Sequence, residues 1–152
     1  MASVFAAVFI ALYVGHHVGD HWVQTGWQAA NKSYRTFTGR LACFLHVVTL
    51  TLTKAILLGV VCLVLDIRVN LWWTALAFTV DGATHYWCDR RFTLKKLAGL
   101  IQKDGYWDFC TVVRKSGKDA QDTGPGTGSF HLDQSFHLFW IGAAALLIAA
   151  TT

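Results

Sequence analysis

Four apolar runs, roughly residues 3–24, 41–64, 70–88 and 130–151, dominate this 152-residue chain, each about 19–24 residues long. About 20 residues of helix cross a ~30 Å hydrocarbon core. Within hydrocarbon the backbone polar groups must bond to one another, so a spanning segment is a helix or part of a closed barrel. Long continuous runs, without the alternation of barrel strands, fit helices. The expected fold is therefore all-α: a polytopic membrane protein, a four-transmembrane-helix bundle, in which 1–152 is a single membrane domain. A chain that is 54% hydrophobic and only 14% charged suits that class. Seven Trp are expected at the bilayer interfaces, where ring and N–H are both accommodated. Residues 2–14 carry no charge, no basic stretch precedes them and no A-x-A site follows. The first run thus reads as a retained span, not a cleaved signal.

Charge assigns the sides. The connections 25–40 and 89–129 hold 11 of the 13 Lys and Arg, whereas 65–69 holds Arg68 alone. The positive-inside rule puts the first and third connections in the cytoplasm and both termini outside. The net charge of +4 is then a topology signal, and no nucleic-acid partner is expected. Within the third connection, Leu94, Leu97, Ala98 and Ile101 recur at helical spacing among lysines. This predicts a short interfacial amphipathic helix over 92–102. Residues 115–129, rich in Gly, Asp and Ser, read as a mobile, solvated tether.

The polar residues inside the runs are not scattered. His16, Asp20 and Gln24 are four apart, as are Asp81, His85 and Asp89, and Asp133 and His137. Each set shares a helix face. His46 sits near the start of the second run. At 1.5 Å per residue His16, Asp20, His46, Asp81, His85, Asp133 and His137 fall about 6–14 Å in from the cytoplasmic ends. Lone carboxylates in a bilayer cost a few kcal/mol each, so the economical arrangement turns them toward one another. A divalent cation, zinc first, would neutralise the aspartates and accept neutral imidazoles. The candidate metal ligands are His16, Asp20, His46, Asp81, His85, Asp133 and His137, enough for two metals or for one metal with outer carboxylates orienting histidines. A metal-free His/Asp hydrogen-bond network is the alternative. Cys43, Cys62, Cys88 and Cys110 form no CxxC pair and read as packing residues. Cys88, next to Asp89, could touch the edge of the site. Lys54 falls near mid-span with no evident partner.

The stretches "HHVGDHWVQTGW", "NK", "THYWCD" and "FHLDQSFHL", in that order with an isolated histidine after the second, resemble a bacterial family of small integral membrane proteins, domain of unknown function 3307. Its motifs fall on His16, Asp20, Gln24 and Thr25, on Asn31 and Lys32, on His46, on His85 and Asp89, and on Asp133, Gln134 and His137. The resemblance implies a membrane bundle with a polar site, placed in the bacterial cytoplasmic membrane, and implies no activity. There is a looser similarity in residue types to membrane-bound metal-dependent hydrolases.

Two functions from different classes fit. One is a membrane metallohydrolase, with Asp20, Asp81 or Asp133 as catalytic ligand or general base. Gln24, Lys32, Asp89 and Gln134 would then contact an anionic or lipid-linked substrate reached from the inner leaflet. The other is a non-enzymatic binding or structural protein whose His/Asp cluster locks the bundle. A through-path for transport is disfavoured by polar residues confined to one half. A homo-oligomer is compatible with the sequence.

Overall fold

The computed structural model describes residues 1–110 and 125–152. The helices are α1 (Ala2–Val18), continued by a π turn (Gly19–Val23), α2 (Gly26–Asn31), α3 (Phe37–Val64), α4 (Leu71–Asp89), α5 (Phe92–Leu100), α6 (Asp104–Trp107) and α7 (Gly128–Ala150). No strand occurs among the described residues. The starts are set by local chemistry. Thr36 accepts from the Gly39 N–H, Asn70 from Trp72 and Trp73, and Thr127 from Phe130, so each supplies a side-chain cap to otherwise unbonded amides. Thr25 and Gln28 form a reciprocal capping box that opens α2 immediately after the π turn.

The four long helices form a ring. α1 packs between α3 and α7, and α4 closes the circle against α7 and α3. Ser3, Val4, the 65–68 turn and Thr152 line one cleft, so both termini and the α3–α4 turn lie at the same end. The half of the ring near that end is apolar, built on Val8, Leu12, Leu58, Ala77, Ile141, Ala145 and Ile148. All the buried histidines lie in the other half.

Among the described residues, three helices, Ala2–Val23, Phe37–Val64 and Gly128–Ala150, are long and apolar enough to cross a membrane. This corrects the expectation of four. α4 has the length, at 19 residues, but Asp81, His85, Asp89 and three threonines lower its hydropathy. Its polar groups turn inward: Asp81, His85 and Asp89 are buried, while Leu71, Trp72, Leu76, Val80 and Trp87 are exposed. The amphipathic helix of the third connection is present as α5. Its apolar face packs on protein, with Leu94 and Ala98 buried against Cys88 and Trp107 and with Leu132 and Phe136 beside them. Most of the expected tether, residues 115–124, lies outside the described residues.

Gly15 fixes the distance between α1 and α3. A Cβ there would come within 2.9 Å of Lys54 Cα, which is backbone and cannot swing away. Gly15→Ala is expected to push the helices apart and to destabilise by about 1–3 kcal/mol. At Gly59 an added Cβ meets nothing, so Gly59→Ala serves as the control. It should be neutral or stabilising through helix propensity. Thermal unfolding of both variants in detergent checks the pair.

Candidate metal centre

The site forms where four helices end or begin together. α1 leaves its regular winding at Gly19, and the Gln24 N–H reaches back to Gly19 O at 2.9 Å, an i→i−5 bond. π turns of this kind are common at functional positions because they re-aim one side chain. Here the turn carries Asp20, and the chain then becomes extended at Gln24, ending the expected His16–Asp20–Gln24 ladder. Asp20 Oδ1 lies 3.1 Å from His46 Nε2 of α3 and 3.9 Å from His85 Nε2 of α4. The two imidazole nitrogens are 3.3 Å apart. Asp89 Oδ2 stands 3.3 Å from His46 Nε2 and 3.2 Å from His85 Nε2. Its other oxygen lies 3.9 Å from His137 Nε2 of α7.

Ligand bonds of about 2.0–2.2 Å to N and O in a tetrahedron give donor–donor edges of about 3.3–3.6 Å. The Asp20–His46–His85 triangle has that scale. Among the described residues, three groups of donor atoms are mutually close enough to hold an ion: Asp20 with His46 and His85, His85 with Asp89 and His137, and Cys88 with Asp133 and His137. The shared histidines join them into one band across the bundle. His85 and His137 stack with ring centroids 4.0 Å apart, and His16 lies 5.2 Å from His137 and 5.4 Å from His85. Several imidazolium ions could not be packed so closely, whereas neutral rings around a cation can.

Hydrogen bonding leaves this cluster incomplete. His46 Nδ1, His16 Nδ1, His137 Nε2 and Asp20 Oδ1 are buried without a hydrogen-bond partner among the described residues. Buried polar atoms are ordinarily satisfied, and each orphan costs about 1–3 kcal/mol. Two of these atoms, Asp20 Oδ1 and His137 Nε2, are in the donor groups that a cation would satisfy. His16 stands outside all three groups. It approaches Asp20 Oδ2 at 3.4 Å and lines a cleft of about 280 Å³ between α1 and α7, together with His17, His131 and Gln134.

Three expected roles move. Asp81 belongs to none of the donor groups; its Oδ2 accepts from Lys54 Nζ at 2.7 Å, and both residues are buried. That pair supplies the partner that Lys54 lacked in the sequence. Lys32 donates to Asp89 Oδ2 at 2.9 Å, so its ammonium faces the protein's own carboxylate. Burial opposes the Lys32 charge, but Asp89 and Asp20 outweigh it and hold its pKa above the ordinary lysine value. Asp89, read from sequence as substrate-binding, therefore stands among the ligand-type groups, and its spacing of four from His85 was the available signal. Asp133 is bonded by Gln134 Nε2 at 3.1 Å. Sequence reasoning missed Arg90. It is buried and donates to Lys32 O at 2.9 Å and also to Tyr34 O, tying the first connection to the end of α4. Arg90→Met should free that connection and weaken the Lys32–Asp89 contact, leaving two carbonyls unpaired at a cost of about 2–4 kcal/mol. Faster proteolysis between residues 25 and 40 would report it.

The architecture is thus that of a helical bundle with three spanning-length apolar helices and a buried His/Asp cluster able to hold metal. A family model described as "Protein of unknown function (DUF3307)" matches residues 8–152, and the chain belongs to that family. No curated protein and no solved structure matches it.

Proposed function

We propose that this protein is a membrane metallohydrolase. Asp20, His46 and His85 would hold a divalent cation, zinc first, with Asp89 beside them, and the substrate would be a lipid or lipid-linked ester. The observation that carries the reading is the meeting of ligand-type atoms from α1, α3 and α4 within 3.1–3.9 Å of one another, one of them a buried carboxylate oxygen with no hydrogen bond. A bound cation would supply Lewis acidity and lower the pKa of a water at its remaining position. Asp20 has its second oxygen on His16, and His16 opens onto the α1–α7 cleft. In this reading His16, held in orientation by Asp20, would take the proton of the attacking water and return it to the departing alkoxide. Gln134 and His131 line the cleft's polar end and Leu138 and Ile141 its apolar end, which suits an amphiphile.

The three helices of spanning length, α1 with its π turn, α3 and α7, would cross the bilayer, with α4 packed against them and the His/Asp half at the cytoplasmic face. Support comes from both termini and the α3–α4 turn sharing one end, from the apolar outer face of α4, and from the basic first and third connections at the other end. The bacterial inner membrane is the compartment that fits the charge bias.

Hydrolysis of phospholipid and lipid-linked phosphodiesters in mixed micelles tests the reading. Zinc-loaded protein should release product, chelation should stop it, and His16→Gln should lower the rate by about 10²–10⁴-fold while keeping its metal. Loaded protein without turnover would remove the hydrolase. It would leave the second reading, a metal that locks the bundle, which the deep burial of His46 and His85 favours.

A further inference from the structure

Cys88, Asp133 and His137 lie at the α4–α7 side of the band and take no part in the mechanism above. Cys88 is fully buried, and its Sγ is 3.4 Å from Asp133 Oδ1. The same oxygen is 3.7 Å from His137 Nε2. All three donor atoms fall within 4.8 Å of one another. Zinc–sulfur bonds of about 2.3 Å and zinc–nitrogen and zinc–oxygen bonds of about 2.0–2.2 Å give tetrahedral edges of about 3.4–3.7 Å.

A thiol donating to Asp133 would by itself explain the Cys88 contact. It does not explain His137, which is 3% exposed and whose Nε2 points into the group without a hydrogen-bond partner. A cavity of about 30 Å³ lined by Arg91, Trp107, Ser129, Phe130 and Asp133 abuts the carboxylate. It has room for a water beside Asp133. Asp89 stands between this group and the Asp20–His46–His85 triangle. One of its oxygens faces His137; the other faces His46 and His85 and also accepts from Lys32. That is the placement of a carboxylate shared by two cations.

We propose that Cys88, Asp133 and His137 form a second metal site, selective for thiolate-seeking divalent cations, with Asp89 bridging to the first. The inference rests on the cluster being a metal centre and extends it to a second, chemically softer position. Binding would release the Cys88 thiol proton to solvent and leave the thiolate on the metal. The soft ligand favours zinc or cadmium there, whereas the all-N/O first site has no such preference.

Cobalt(II) loading of the detergent-purified full chain tests this. Wild-type protein should bind about two equivalents and show a thiolate-to-cobalt charge-transfer band in the near ultraviolet. Cys88→Ser and, independently, His137→Ala should abolish the band and lower the count by about one equivalent. His46→Ala should keep the band while losing the other equivalent. Should Cys88→Ser fail to fold, the wild-type spectrum and His137→Ala decide. About one equivalent without a thiolate band overturns the second site and leaves the first standing. A band that persists in both Cys88→Ser and His137→Ala also overturns it. Failure to bind any cobalt or zinc overturns both.

Discussion

Asp81→Ala is expected to destabilise the protein by about 3–5 kcal/mol, because it strands the Lys54 ammonium inside the bundle. Lys54 is 1% exposed and Asp81 5%, and they meet at 2.7 Å between α3 and α4. Gly15 of α1 lies against the Lys54 backbone and Cγ, so the lysine stem has little room to swing away. An isolated lysine near the centre of a bilayer costs about 2.5–3.5 kcal/mol on the insertion scale, which agrees with the ion-pair figure. The double variant Lys54→Met/Asp81→Ala removes both charges. It should recover most of the loss, since replacing a buried pair by apolar groups is commonly near neutral. Thermal unfolding of the two single variants and the double variant gives the coupling energy. Additive losses would mean that the pair is not a unit.

The second large effect concerns the metal. His46 is fully buried and stands within 3.3 Å of donor atoms on α1 and α4. His46→Ala should abolish binding at the first site and with it the stabilisation that the metal gives. For a cation at 100 times its dissociation constant that stabilisation is about 2.7 kcal/mol, and at 1,000 times about 4.1 kcal/mol. A wild-type protein loaded with zinc should therefore lose several degrees of Tm on chelation. His46→Ala should start near the chelated value and lose little more. The comparison separates a metal effect from a simple packing defect, which chelation would not reproduce.

The rods themselves were legible in the sequence. The run 41–64 falls within α3, the run 130–151 passes the end of α7 by one residue, and the third run matches α4 to within a residue at each end. Helical phase also brought the His/Asp faces to one end, because residues four apart must share a face whatever the partner helix. Relations between helices were not legible. Asp81 and His85 share a face, so phase alone grouped Asp81 with the ligands; only the approach of α3 shows that Lys54 takes it. The same limit hid the Lys32–Asp89 contact, made across 57 residues of chain. Gln24 left its ladder because the π turn adds a residue to the winding, and no residue type marks that insertion. α6 was missed because four residues carry no periodicity. α4 shows the converse error. Its length suggested an apolar span, yet its hydropathy is lowered by the very residues that build the site. A helix that buries three ionisable groups inward and leaves Leu and Trp outward can be membrane-compatible without being apolar on average.

Metal content of detergent-purified protein, measured by elemental analysis before and after chelation, tests the account most directly. Zinc or another divalent cation should be present in stoichiometric amount, held through gel filtration, lost from His46→Ala and required for the wild-type Tm. Protein that carries no such metal, takes none up on incubation, and melts at the same temperature with and without chelator would contradict it.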